Sequence, residues 1–551
     1  MRRWTRRALA VLGVAAVALA ATVTDQAMTP RPAQALDNGV ARTPPMGWNT
    51  WNTFGCNINE TLIRQTADAI VSNGLRDLGY KYVVVDDCWF DPNRDAQGNL
   101  QANPQRFPSG MKSLGDYLHA RGLLFGIYQV PLDKTCAQVG GAFPGATGSL
   151  NHEYQDARQF AAWGVDYLKY DWCSGTGTIN DQVARFGIMR DALASTGRPI
   201  VYSINPNSYH AKTGPQRNWS DVANLWRTTE DITNAWNTGQ TNGYPMGIQN
   251  IVDVTVPLAG YAGPGGFNDP DMLEVGRGGM NDTEMRSHFA LWSILAAPLM
   301  MGNDVRSANA ATLAILRNAN LVAINQDTLG RQAVQVSFDG TRRVLAKPLA
   351  NGDVAVALFN QGGSTTTVST TAAAVGKSGS SFTLRDAWTD ATSSSTGTIS
   401  ASVPAHGTVV YRVSGGGTTT PPPVPATFRL RSESSGRCLD VDNAGTANGT
   451  GALIWDCHTN ANQQFTANGQ ALQVLGKCLD VPTSATAGTR VQIWDCNGGT
   501  NQQWTFNGNG TVSNVRFPSL CLDVDNAGTA NGTRVILWTC HGNTNQRWSR
   551  A

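Results

Sequence analysis

The chain has 551 residues, enough for about three or four domains at roughly 150 residues each. Hydrophobic residues make up 41% and charged residues 15%, which supports large cores and excludes a disordered chain. The formal charge is +2, but residues 1–35 alone carry +4; the remainder lacks the basic excess that nucleic-acid binding needs.

Arg2, Arg3, Arg6 and Arg7 precede an apolar run from Ala8, and Ala33-Gln34-Ala35 forms an A-x-A cleavage site. This pattern predicts a signal peptide over 1–35 and a secreted, extracellular mature chain from Leu36. The run is shorter than the roughly 20 residues of a membrane anchor, so no membrane partner is expected for the mature form. Ten cysteines, an even number, fit an oxidising compartment. None shows C-x-x-C spacing, so no metal site is expected.

From 36 to 330 the chain alternates strand-like and helix-like segments. GYKYVVVDDCW, LLFGIY, VDYLKYDWC, PIVYSIN, NLWRTTED and GFNDPDML read as strands. MKSLGDYLHARG, HEYQDARQFAAWG and TEMRSHFALWSILAAPLM read as helices. Repeated βα units predict a parallel sheet covered by helices, as in a (β/α)8 TIM barrel. Helical periodicity is lost over 331–413, where RRVLAKPL, DVAVALFN, FTLRDAW and GTVVYRV predict an antiparallel β-sandwich. SGGGTTTPPPVPA (414–426) reads as a linker, slack at its glycines and stiff at its prolines. Residues 427–551 repeat one pattern three times: CLDV–IWDC–NQQF (438–465), CLDV–IWDC–NQQW (478–504) and CLDV–LWTC–NQRW (521–548). A single unit cannot bury its own apolar face, so three must pack together, as an all-β module.

Polar residues gather at the predicted C-terminal strand ends, where a barrel places its active site: Asp86, Asp87, Tyr128, Asp171, Asn205, Asp231 and Asp271. Lys169 and Asp171 are two apart on one strand and share a face. A carboxylate beside an ammonium stays ionised, as a nucleophile must; the same pair can also be a structural ion pair. Arg227 and Asp231 follow in WRTTEDI, with Glu230 as a rival acid. Two acids converging from different strands are what glycoside hydrolysis needs. No Gly-rich phosphate loop or H-E-x-x-H occurs, so no cofactor is expected.

TPPMGWNTWNTFGCNINE, VVVDDCW, GIY, YLKYDWC, WRTTEDI, GPGGFNDPDM and INQDTLG together resemble glycoside hydrolase family 27, the α-galactosidase family. The resemblance implies a retaining hydrolase with Asp171 as nucleophile and Asp231 as acid/base. It implies a sugar pocket of Asp86 and Asp87 on the C6 and C4 hydroxyls, Lys169 on the C3–C4 side, and Arg227 and Asp271 around C2 and C3. Trp51 and Tyr128 match its aromatic walls, and Cys56–Cys88 and Cys136–Cys173 match its disulfides. Asn205 stands where many members carry a Glu facing the C2 hydroxyl. An α-N-acetylgalactosaminidase therefore stays open beside the α-galactosidase. The short Asp86 favours galactose over the substrate of the related β-L-arabinopyranosidases, which carry Glu there. A lectin-like, non-catalytic barrel is the reading from another class, and the presence of both acids opposes it.

The triple repeat resembles the ricin-type β-trefoil, a family 13 carbohydrate-binding module. The resemblance implies polysaccharide as a partner and three sugar sites. These are Asp440, Trp455 and Asn462 in the first copy, Asp480, Trp494 and Asn501 in the second, and Asp523, Trp538 and Asn545 in the third. Its cysteines are expected to pair within the copies: Cys438 with Cys457, Cys478 with Cys496, and Cys521 with Cys540. Phe465, Trp504 and Trp548 are expected in the core.

Overall fold

The computed structural model describes residues 36–206, 217–240, 243–418 and 427–550, apart from 459, 469 and 508. The expected leader over 1–35 and residues 419–426 of the expected linker lie outside them. No helix among the described residues is long and apolar enough to cross a membrane.

The first part is an eight-stranded parallel, TIM-like barrel. Its strands are β1 (Met46–Asn49), β2 (Tyr82–Val85), β3 (Leu124–Gln129), β4 (Tyr167–Asp171), β5 (Val201–Asn205), β6 (Leu225–Arg227), β7 (Phe267–Asp269) and β8 (Leu299–Met301). They pair in the order β7-β6-β5-β4-β3-β2-β1-β8. Leu273, just past β7, closes the ring by bridging Met301 in parallel. Alternation along β4 decides which side chains face inward. Tyr167 packs inside with Val84, Val201, Leu225, Phe267 and Met300, so Lys169 and Asp171 share that inner face. Leu168 and Tyr170 face the opposite way, into the core beneath the outer helices.

The outer helices present apolar stripes inward; Leu62, Ile63, Ala67 and Ile70 are the buried face of Glu60–Ser72. One expected element needs correction. TEMRSHFALWSILAAPLM is not a single helix: the helix spans Asp282–Ile294, and Leu299–Met301 is the eighth strand. Pro298 cannot extend a helix, and Ala296 turns the chain with φ 52°.

The second part packs a six-stranded antiparallel sheet against a two-stranded antiparallel pair, Thr366–Thr371 and Thr398–Val403. Strand alternation gives it two apolar faces. Val344, Ala346, Val356 and Leu358 point into the sandwich, with Ile399 and Val403 opposite. Leu345, Ala355, Ala357 and Phe359 join the core of the barrel. Lys347, on the barrel-facing side of Arg342–Pro348, is fully buried, and its Nζ has no hydrogen-bond partner among the described residues. Burial pulls its pKa down to about 7.

The third part is a β-trefoil of three four-stranded sheets around one apolar core that contains Phe465, Trp504 and Trp548. Each copy carries its own disulfide, as expected: Cys438 is bonded to Cys457, Cys478 to Cys496, and Cys521 to Cys540. The first cysteine of each pair is buried on a central strand. The second lies nearer the surface: Cys457 and Cys540 are exposed and Cys496 is half-buried. Each bridge therefore ties the segment just after an exposed tryptophan back to the core. The Arg550 guanidinium lies 4.4 Å and 4.1 Å from the ring centroids of Phe428 and Phe506, tying the last strand to the first.

Lys347 makes stability depend on pH. The unfolded chain keeps this ammonium protonated up to its ordinary pKa, whereas the folded chain releases the proton above about 7. Stability is therefore lost as pH falls toward 7 and stays low below it, at about 1.4 kcal/mol per pH unit crossed. Lys347→Met should raise the thermal midpoint by several degrees at pH 6 and by less at pH 9, as read by calorimetry.

Candidate active site

All ten barrel positions named for the pocket in the sequence lie on strands or on the loops that leave their C-terminal ends. Trp51 directly follows β1, Asp86 and Asp87 follow β2, and Tyr128 lies on β3. Lys169 and Asp171 lie on β4, Asn205 ends β5, and Arg227 ends β6. Asp231 sits in the loop after β6, and Asp271 lies two residues past β7. Strand register puts Asp171 beside Asn205 and Tyr128 beside Lys169.

Lys169 Nζ donates to Asp86 Oδ2 at 2.9 Å and lies 3.7 Å from Asp171 Oδ2. The ammonium is therefore shared, and Asp86 holds the nearer half, where the sequence suggested a pair with Asp171 alone. It also lies 5.3 Å from the Tyr128 ring centroid. Burial opposes the charge on Lys169, but Asp171 and Asp86 outweigh it and keep its pKa above the ordinary value. Asp171 is deeply buried, and its Oδ1 has no hydrogen-bond partner among the described residues. Burial raises its pKa; Lys169 pulls it down, while Asp86 and Asp231 push it further up.

Asp87 accepts from the backbone N–H groups of Cys88 (2.7 Å) and Ala137 (2.8 Å). Burial nevertheless lifts its pKa to about 6. Ala137 neighbours the Cys136–Cys173 bridge, and Cys56–Cys88 ties the loop after β1 to the end of β2. Across the mouth, Arg227 reaches Asp271 at 2.8 Å and Asp231 at 3.1 Å. Asp271 Oδ2 also accepts the Ile232 N–H at 2.9 Å, so one carboxylate orients both the arginine and the Asp231 loop. The Asp231 side chain is 40% exposed and that of Asp171 8%. One acid is at the rim and the other at the floor. Glu230 is buried, whereas Asp231 opens outward on the arginine.

Two participants lie inside the quoted motifs but were not singled out in the sequence. Asn49 Nδ2 donates to Asp86 Oδ2 at 2.7 Å while its Oδ1 accepts from the Trp51 N–H, so it joins the wall to the acid pair. Asp269 faces Arg227 from the end of β7, and burial lifts its pKa to about 6. Its only sequence signal is its place two residues before Asp271.

In the trefoil, Trp455, Trp494 and Trp538 are among the few exposed large apolar side chains. Beside each lies a buried aspartate whose Oδ2 is held by two amides. Asn462 and Gln463 donate to Asp440, Asn501 and Gln502 to Asp480, and Asn545 and Gln546 to Asp523, all at 2.8–3.0 Å. Each asparagine thus spends one donor on its own aspartate, and the glutamines are partners the sequence reading missed. The copies differ: Gln492 adds a bond to Asp480 Oδ1, while His458 and His541 approach Asp440 and Asp523. The copies also interlock in a ring. Asn448 pairs with Asp495 and Asn531 with Asp456, and Gly532, Gly449 and Gly488 back onto Trp455, Trp494 and Trp538.

The family description of α-galactosidase A matches residues 43–327 of this chain. The chain belongs to that family of glycoside hydrolases. The family's C-terminal β-sandwich matches 339–413, and the ricin-type β-trefoil lectin domain matches 426–548. An α-galactosidase from Cyamopsis tetragonoloba is 44% identical over 377 residues, 68% of this chain and 87% of that one. An α-N-acetylgalactosaminidase from Gallus gallus is 41% identical over 344 residues, 59% of this chain and 81% of that one. The crystal structure of α-galactosidase I from Mortierella vinacea superimposes with a TM-score of 0.66 at 36% identity, covering 70% of this chain and all of that one.

Arg227→Met strands the buried Asp271 without a counter-charge, a change that costs about 3–5 kcal/mol at neutral pH. The variant's thermal midpoint at pH 7 should therefore fall by several degrees, as read by calorimetry.

Proposed function

We propose that the chain is a secreted, retaining α-galactosidase that removes terminal α-D-galactosyl residues from galacto-oligosaccharides or galactomannan-type polysaccharides. The observation that carries this reading is a pair of acids at one barrel mouth, each beside its own cation: Asp171 at the floor beside Lys169, and Asp231 at the rim on Arg227. Asp171 attacks C1 from below while Asp231 protonates the departing oxygen. In the second step Asp231 takes a proton from water, which cleaves the galactosyl–Asp171 ester. These roles call for carboxyl groups about 5–5.5 Å apart. Arg227 steadies the anion that Asp231 becomes after giving up its proton, and Lys169 offsets the burial that disfavours ionised Asp171.

Selectivity follows from unpaired lone pairs. The Asp86 and Asp87 oxygens each hold protein donors yet can accept more. An axial C4 hydroxyl satisfies them, and the glucose epimer leaves a buried carboxylate short of a partner. Trp51 and Tyr128 wall the ring. Asn205, beside Asp171, supports a second reading with an N-acetyl group at C2, the substrate named for the Gallus gallus relative.

The deciding experiment pairs a nitrophenyl glycoside panel with proton NMR of the released sugar. The α-galactoside should be fastest and α-galactose should appear first. A dominant rate on the α-N-acetylgalactosaminide would replace the substrate, and β-galactose first would rule out double displacement. Asp171→Asn should lose at least about a thousandfold in kcat; wild-type activity would remove it as nucleophile.

The trefoil reading is that each exposed tryptophan stacks on a sugar ring while the neighbouring aspartate bonds its hydroxyls. Three weak sites gain from effective concentration on a polymer. Replacing Trp455, Trp494 and Trp538 together with Ala should abolish retention on galactomannan in affinity electrophoresis.

A further inference from the structure

The loop that carries Asp231 is held from outside the barrel. Residues 231–238 form a strap zipped along the stretch that starts the helix Ile248–Thr255. Met246 N–H donates to Asp231 O at 3.0 Å, Thr233 N–H to Met246 O at 2.9 Å, Ile248 N–H to Ala235 O at 3.0 Å and Gln249 N–H to Trp236 O at 2.9 Å. Trp236 leaves the strap into the β-sandwich. Its ring lies 5.2 Å from the His406 ring at an interplanar angle of 15°, stacked, and meets the edge of Phe359 at 5.9 Å. His406 is pinned in turn. Its Nδ1 lies 2.7 Å from Glu284 Oε1, and its carbonyl accepts from Ser287 Oγ at 2.6 Å, both on the helix Asp282–Ile294. Glu284 also caps that helix through Asn281. Farther along the same segment, Asp253 accepts from Arg343 at 2.6 Å and Gln361 at 2.9 Å, both in the sandwich. The sandwich therefore grips the acid's loop at Trp236 and, at Asp253, the helix to which that loop is zipped.

We propose that His406, acting through Trp236, is a positioning residue for Asp231, and that the β-sandwich serves catalysis by fixing the aim of the acid at the barrel rim. Among the described residues, the half-exposed Asp231 carboxylate is held by Arg227, and its backbone by the strap and the Asp271–Ile232 bond, so its aim depends on that mount. The inference rests on the reading of Asp231 as the acid/base.

The test uses the leaving group as a ruler. A dinitrophenol departs without a proton, whereas a sugar or alkyl alcohol needs one from the acid. In the full-length protein, His406→Ala should lower kcat/KM for an alkyl α-galactoside by at least roughly tenfold. It should lower kcat/KM for 2,4-dinitrophenyl α-galactoside by less than about threefold. His406→Phe keeps a ring on Trp236 and should recover most of the loss. Equal losses on both substrates, or no loss on either, would overturn the proposal. If His406→Ala melts below the assay temperature, Trp236→Phe is read by the same ratio. Asp231→Ala, run in parallel, separates the two claims: without the same leaving-group selectivity there, the acid is misassigned, not the mount.

Discussion

Buried acid outnumbers buried base at the mouth of the barrel. Asp86, Asp87, Asp171, Asp269 and Asp271 are all buried there, with Asp231 at the rim, and among the described residues Lys169 and Arg227 are the cations set against them. These two do not offset the desolvation of that many carboxylates, so burial raises the pKa of Asp87, Asp171 and Asp269. The same shortage divides the site into two halves. Lys169 serves Asp86 and Asp171 on one side, and Arg227 serves Asp231 and Asp271 on the other. The division leaves one acid with each cation at the mouth: Asp171 beside Lys169 and Asp231 beside Arg227.

The barrel makes the division possible because every strand delivers its polar residue to the same end. A parallel neighbour brings Asn205 next to Asp171 although they are 34 residues apart in the sequence. Inward-facing Tyr167 and Leu225 close the floor with apolar packing beneath the acids. The disulfides beside Asp87 and Asp171 restrict the loops that carry the polar contacts.

Much of this was legible in the sequence because motif and strand end coincide: VVVDD, YLKYD and WRTTED each run a buried strand directly into its candidate site residues. The trefoil was legible because it is written three times. The eighth strand was hidden because Leu299, Met300 and Met301 continue the apolar run of the helix before them, with Pro298 as the lone sign of a break. The site residues the reading missed depend on distance in space. Asn49 serves Asp86 from another strand, and Trp236 meets His406 across 170 positions. Neither relation leaves a periodic or local trace. The sharing of Lys169 was misjudged for the same reason, since Asp86 comes from a strand two places away.

The interlock among the trefoil copies carries a constraint on how such a module can vary. Because the loop of each copy backs the tryptophan of the next, and the last backs the first, the circle has no terminal unit that could be trimmed or extended. Open solenoids grow by adding repeats at a free end. A closed circle of three cannot, so change in this module has to arrive by substitution within a copy, as at Gln492, and not by altering the number of copies.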